Sequence, residues 1–295
     1  GVDATFHPIA QVTLRYRVMF GSVVTVPMND AGTAGDLVAG DGIWSALVPE
    51  SAGTTGQMLR YSVTATDTRS HLSRWPLYAD PSGSAEYLGT VIEPGYVNSR
   101  LPVLHLFAPP SVLQPGPVTA QTGADSKSGG RVSAYYDGEF YDNIFMRLRG
   151  NTTAGYSKKS HRLEFNREHL FRHAGSDERI RKTSFTADYP DPTYMRQGLS
   201  FWLCCKVGAP GPFYEPYRLQ LNGSFYQLAN HNDLHRVELL ERLGFDPDGA
   251  HSNAAGTIVP SGSSTGGFDK KTRNWEGNDD YVELAEAISA SHPTS

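Results

Sequence analysis

The sequence predicts an α+β chain: a small all-β region at the N-terminus and a larger mixed region after it. Three observations carry this. Thirty Gly and 19 Pro accompany 15 Tyr and 13 Phe among 295 residues, a composition of turns and strands. Period-two alternation of apolar residues dominates the first ninety positions, and helical periodicity enters only near residue 195. Charge divides the chain as well. Residues 1–100 hold six Arg against nine acids, residues 141–185 hold ten Lys and Arg against five acids, and from Glu238 onward acids lead ten to four.

Composition excludes several classes. Lys+Arg 26 against Asp+Glu 31 gives a net charge of −5, which argues against nucleic-acid binding through bulk charge. No apolar run approaches the ~18 residues of a membrane span. The start, Gly1-Val2-Asp3, lacks the basic head and apolar stretch of a signal peptide. Cys204 and Cys205 are adjacent and read as two residues of one helix, not a bridge.

The first strand is read at Leu14, Tyr16, Val18 and Phe20, alternating with Thr13, Arg15, Arg17 and Met19. Leu59, Tyr61, Val63 and Ala65 repeat the pattern. Short strands cut by Gly and Pro suggest a β-sandwich over residues 1–92. Between them Asn29-Asp30, Gly35-Asp36 and Gly40-Asp41-Gly42 place hard oxygens at a spacing that could hold Ca²⁺, although acids and glycines in tight turns explain the same pattern.

A connector leads to the second domain, residues 100–295, which opens on the buried strand Leu101–Phe107. Residues 109–130 form a Pro-, Gly- and Ser-rich loop. Asp137-Gly138 and Asn222-Gly223 mark two hairpins. Asp191-Pro192 supplies an N-cap and a first-turn proline for a helix whose apolar stripe is Met195, Leu199, Trp202 and Cys205, stopped by Gly208. A second helix follows Asp233 and ends at Gly244; a third spans about Asp279 to Ala290.

Chemistry concentrates in the basic band. Arg147-Leu148-Arg149-Gly150-Asn151-Thr152-Thr153, then Lys158-Lys159-Ser160, suits a phosphate cradle: backbone N–H groups and hydroxyls donate, and ammonium groups neutralise charge. A solvated basic face is the bland alternative. His231-Asn232-Asp233-Leu234-His235 places two histidines at i and i+4, the spacing of a metal pair on a helix, which leaves a metal-dependent hydrolase as a further reading. Gly262-Ser263-Ser264-Thr265-Gly266 matches a nucleophile elbow formally but has no helix-forming run behind it.

Arg149-Gly150-Asn151-Thr152-Thr153 followed by Lys158-Lys159-Ser160-His161-Arg162-Leu163 resembles the signature of the spore-coat CotH kinase family. The resemblance continues through Ala187-Asp188, Asp191-Pro192-Thr193-Tyr194-Met195-Arg196, Gly208-Ala209-Pro210, Leu221-Asn222-Gly223, Asp246–Ala250 and Lys270–Arg273, covering about residues 101–290. It implies an atypical protein-kinase-like fold, C-terminally incomplete here, behind an Ig- or fibronectin-like sandwich. It further implies a secreted, cell-surface enzyme that moves phosphate from ATP, with Mg²⁺, to Ser or Thr of surface or coat proteins.

Carried over by position, Arg149, Asn151, Lys158 and Lys159 would contact ATP, Asp233 would be the catalytic or metal-side carboxylate, and Asn230 a metal neighbour. Arg196 would either orient a phosphate or tie its helix to an acid such as Asp188. The chain departs from the family pattern at Asn230, where an acid is usual, and at His251-Ser252-Asn253, where a lysine is lost. The same resemblance therefore also fits a catalytically degenerate, kinase-like surface or assembly protein.

Overall fold

The computed structural model describes residues 1–4, 6–113, 129–150, 153, 156–174, 177–234, 237–254 and 268–289. It is mostly β. Two compact units account for it: Gly1–Arg196 with Glu215–Asn232, and Gln197–Tyr214 with Asp233–Ser295. No helix among the described residues is long and apolar enough to cross a membrane.

The first unit begins with a five-stranded antiparallel sheet: β1 (Ile9–Val18), β2 (Val24–Pro27), β3 (Met58–Asp67), β4 (Leu72–Trp75) and β5 (Leu88–Val91). β1 pairs with one edge of β3. β4 and β5 lie end to end on the other, opposite Val63–Thr66 and Met58–Tyr61 respectively. The sandwich expected from the sequence is thus a single sheet among the described residues. The reason lies in what covers its apolar face. Met58 and Val91 pack with Phe107, Tyr135 and Phe140 of the strands that follow, so no second sheet of its own is needed. Alternation in β1 holds, with Val12, Leu14 and Tyr16 buried. In β3 the phase differs from expectation: Met58 and Ser62 are buried while Leu59, Tyr61 and Val63 are half-buried.

Seven further strands close into a barrel, in the order β12-β14-β13-β6-β7-β8-β9: β6 (Val103–Phe107), β7 (Gly130–Tyr136), β8 (Glu139–Arg149), β9 (Ser160–Glu164), β12 (Lys182–Thr186), β13 (Tyr214–Leu221) and β14 (Ser224–Asn232). A small ribbon, β10 (Phe171–Arg172) and β11 (Arg179–Ile180), precedes β12. β13 runs parallel to β6, and the other barrel pairings with a recorded register are antiparallel. Both expected hairpins form. Asp137 and Gly138 take φ 47° and 85°, and Asn222 and Gly223 take 51° and 86°, the left-handed pair that Asn, Asp and Gly tolerate and that matches strand twist. The interior is filled by Leu104, Leu106, Ile144, Met146, Leu163, Phe185, Tyr217 and Leu219. The chain is mostly β with few helices, so the α+β kinase-like expectation holds only in part. α1 (Pro110–Leu113) follows β6, and most of the expected loop beyond it lies outside the described residues.

In the second unit α2 (Arg196–Lys206) begins four residues after the expected proline. Of the expected stripe Leu199, Trp202 and Cys205 lie on the helix while Met195 precedes it, and Leu199 and Trp202 are exposed at 55% and 59%. α3 (Val237–Arg242) ends two residues before Gly244, which takes φ 74°. α4 (Asp279–Ser289) starts on the residue expected for it, with Asp279 and Asp280 in its first turn, where a negative charge suits the helix dipole. β15 (Ser252–Ala254) and β16 (Phe268–Lys270) form a ribbon. The serine-glycine segment Gly262–Gly266 lies outside the described residues.

Candidate functional site

Barrel registers bring the basic band and an acid–amide pair to one rim. Arg149, the last residue of β8, pairs with Ser160, the first of β9. His161 faces Phe185 on β12, and Thr186 faces Asn230 on β14. Four adjacent strands therefore deliver Arg149, the Lys158-Lys159 segment entering β9, the end of β12, and Asn230 at one level. The chain turns away from β12 through Ala187, whose N–H donates to Ser160 Oγ at 3.0 Å, and Asp188, which holds φ 43°.

At this rim the Arg149 guanidinium donates from Nη1 to Thr186 Oγ1 at 2.8 Å. Burial lowers its pKa, neighbouring Arg147 lowers it further, and Asp188 opposes both. The Asn230 carboxamide, 3% exposed, donates from Nδ2 to Asp188 Oδ2. Burial pushes the Asp188 carboxyl above its usual range, while Asn230 and Arg149 pull it down. Lys158 reaches Tyr194: its Nζ bonds the phenol oxygen and lies 4.8 Å from the ring centre. Lys159 is anchored through its backbone, its carbonyl accepting from Gln227 Nε2 at 2.8 Å. Asn151 lies outside the described residues.

Asp191 organises the turn that follows. One oxygen accepts from the Thr193 N–H and hydroxyl, at 3.0 and 2.7 Å. The other accepts from the Met195 and Arg196 N–H groups, at 3.1 and 2.8 Å. It caps the helix from farther away than expected, because Pro192 and Thr193 form a turn first. Arg196 is tied to an acid, as the sequence suggested, but the acid is Asp191 (3.6 Å).

Asp233 belongs to the second unit. Its Oδ2 accepts the Phe213 N–H at 2.7 Å and pairs with Arg242, whose Nε and Nη2 stand at 2.9 and 2.6 Å. That carboxylate is charge-matched within its own unit.

His231 does not sit on a helix. It is a β14 residue, fully buried, with ring centres of His173, Phe185 and Tyr217 at 4.8, 5.4 and 5.8 Å. Burial and His173 hold it neutral, well below the ordinary histidine range. The strand carries its side chain into the barrel core, so the helical metal pair expected with His235 is not formed by it; His235 itself lies outside the described residues. The acidic loop does converge, with carboxylate oxygens of Asp30, Asp36 and Asp41 within 4.8 Å of one another. Those carboxylates also serve the turns. Asp30 accepts the N–H groups of Gly40, Asp41 and Gly42, and Asp36 that of Gly32.

Sequence reasoning missed Asp188 as a site residue. It appeared there within the resemblance and as a partner for Arg196, with no site role, because its environment depends on β12 pairing with β14, a contact between residues more than forty positions apart. The signal available was its place directly after a short apolar strand, within the resemblance.

No curated protein matches the chain. Residues 146–241, from within β8 to within α3 and including Arg149, Lys158, Lys159, Asp188, Asn230 and Asp233, match the model of the CotH kinase protein family.

Proposed function

We propose that this chain is a CotH-like kinase that transfers the γ-phosphoryl group of ATP to serine or threonine of a surface or coat protein outside the cytoplasm. The observation that carries the reading is the barrel rim. There Arg149, the Lys158-Lys159 segment, Asp188 and Asn230 stand on adjacent strand ends, inside the segment similar to CotH kinase proteins. Phosphoryl transfer asks for this composition, since its work is positioning and charge neutralisation. Guanidinium and ammonium groups take the phosphate oxygens.

The residues present fit Mg²⁺. Asp188 and Asn230 offer a carboxylate and a carboxamide side by side, and Mg²⁺ takes one or two protein oxygens beside phosphate and water. When bound, the cation neutralises charge on the β- and γ-phosphates. Arg149 holds the phosphates from a half-buried, strand-fixed position. The acceptor oxygen forms the new P–O bond, the bond from Pγ to the β-bridging oxygen breaks, the hydroxyl proton leaves to solvent, and ADP departs.

Incubating the full chain with γ-labelled ATP, Mg²⁺ and a serine-rich acceptor tests this. Label should transfer, and Asp188→Asn should cut transfer roughly 100-fold or more while Lys159→Ala reduces it. Absence of Mg²⁺-dependent ATP binding by calorimetry would overturn it. The exported setting is tested by fractionating the native host; a cytoplasmic pool alone would reject it.

A second reading has its own support. The ion pair of Asp233 with Arg242 occupies the carboxylate that the family resemblance assigns to catalysis. A kinase-like scaffold that retains the basic rim for binding alone would show ATP binding without transfer, or neither.

A further inference from the structure

The N-terminal sheet carries a second cluster, distant in sequence from the segment similar to CotH kinases. Residues before β1 run beside the turn joining β3 and β4: the Thr68 N–H donates to the Pro8 carbonyl at 3.0 Å, and Ile9 pairs with Asp67. His7 is thereby brought against Asp67 and His71. The Asp67 carboxylate is oriented by the turn itself. Oδ1 accepts the N–H groups of Arg69 and His71 at 2.8 and 2.9 Å, while Oδ2 lies 2.8 Å from His71 Nδ1. The two imidazoles are close to parallel, with ring centres 6.0 Å apart and planes at 21°. One donor atom from each of the three residues falls within 4.8 Å of the others. They border a cavity of about 330 Å³, which Asp3 and Ser73 also line.

We infer that His7, Asp67 and His71 form a binding site for a divalent transition metal of the zinc class. Two imidazoles and a carboxylate are a borderline-soft donor set that suits Zn²⁺ better than Mg²⁺ or Ca²⁺. Zn–N bonds of about 2.0–2.1 Å put tetrahedral donors roughly 3.3 Å apart; Asp67 Oδ2 and His71 Nδ1, at 2.8 Å, are already within that spacing, and separations of up to 4.8 Å must close by up to about 1.5 Å. The His71 side chain, 76% exposed, has room to make that movement. Asp67 already has the outer-shell support that ligating carboxylates show, the backbone N–H groups of Arg69 and His71 on Oδ1, the oxygen not engaged by the His71 imidazole. A fourth position stays open to water or to Asp3. The bound ion would clamp residues 1–8 to the β3–β4 turn. Its effect is therefore stabilising, through preferential binding to the folded state.

The test uses the full chain, freed of any affinity tag and stripped with EDTA. Titration with ZnCl₂ should give a one-to-one isotherm and raise the melting temperature, and Co²⁺ should give the visible absorption of a tetrahedral site. His7→Ala and His71→Ala should each weaken Zn²⁺ binding by ~10-fold or more, while His169→Ala, in the barrel unit, leaves it unchanged. His7 precedes the first strand, so His7→Ala should match the parent in circular dichroism and in melting temperature with EDTA present. No saturable binding, or binding unaltered in both variants, would overturn the inference.

Discussion

Two aspartates in the first unit, Asp142 buried and Asp188 half-buried, show how one side-chain type serves two ends. Asp142 lies on the seam between the N-terminal sheet and the barrel, 3% exposed. It accepts the Ser133 hydroxyl at 2.7 Å and the N–H groups of Glu86 and Tyr87 at 3.0 and 2.9 Å, with Arg60 at 3.8 Å. Burial raises its pKa, but four donors surround it. Asp188, at the barrel rim, is also raised by burial, yet among the described residues its side-chain partner is the carboxamide of Asn230, with a cation nearby and a left-handed backbone beneath it. Burial with a full complement of donors describes a fastening. Half-burial with few donors among the described residues, beside a basic band, is what the proposed phosphate and Mg²⁺ site asks of such a group.

The comparison breaks first, and most strongly, at the seam. Asp142→Ala leaves the Arg60 guanidinium, itself shifted down by burial, without its carboxylate, and strands two backbone N–H groups and a hydroxyl. Removing one partner from a buried pair costs about 3–5 kcal/mol. Urea unfolding followed by tryptophan fluorescence should show that loss. A change within experimental error would mean the seam is not where the sheet is fastened.

At the rim the same kind of change should behave in the opposite way. Asp188→Asn keeps shape and amide contact, so stability should move by less than about 1 kcal/mol. Transfer of label from ATP should fall roughly 100-fold or more, the scale of losing one charge-stabilising group at a reacting centre. A variant that transfers normally would remove Asp188 from the site. One that unfolds would make it a second fastening.

Legibility in the sequence followed the same division between local and distant causes. The Asp137-Gly138 and Asn222-Gly223 turns and the start of α4 were readable because each depends on backbone preferences of a few neighbouring residues. The barrel was not readable. Its closure needs β6 beside β13, a parallel pairing across more than a hundred residues, and β12 between β9 and β14. The sandwich expectation failed for a related reason: alternation tells which face of a strand is apolar, not what covers it, and here Phe107 and Phe140 do. The α2 stripe was read as helical and is helical from Leu199 on, yet Leu199 and Trp202 face outward, since periodicity does not name a partner either. In the site, the cationic residues were visible as a run, whereas Asp188 acquires meaning only once strand pairing sets it beside Asn230.

The smaller effects extend the comparison to pH. Burial lowers His105 to about 4, and burial with Lys159 lowers His161 to about 3. The unfolded chain titrates its histidines near 6.5, so between these values it binds protons that the folded chain refuses. Stability from these residues is thus complete above about pH 6.5 and is lost as pH falls through about 4, on the order of 1–3 kcal/mol for each. His105 packs against Tyr96 and Tyr135 with ring centres at 5.8 and 6.0 Å, so His105→Phe should fold and should remove its own share of this limb, leaving that of His161. Unfolding midpoints at pH 7.5 and 5 check it, and parallel curves for parent and variant would refute it. Below pH 4 a weaker limb belongs to Glu139, drawn down to about 2 chiefly by its bonds from Arg179 at 2.7 and 2.8 Å. Here the folded form holds its charge longer than the unfolded chain, so stability present above about pH 4.3 is lost as pH falls toward 2. Arg179 is 41% exposed, and solvent screening keeps the contribution under about 1 kcal/mol. Glu139→Gln should therefore leave the histidine limb untouched and level only this last one, a separation that acid titration of the two variants side by side would read directly.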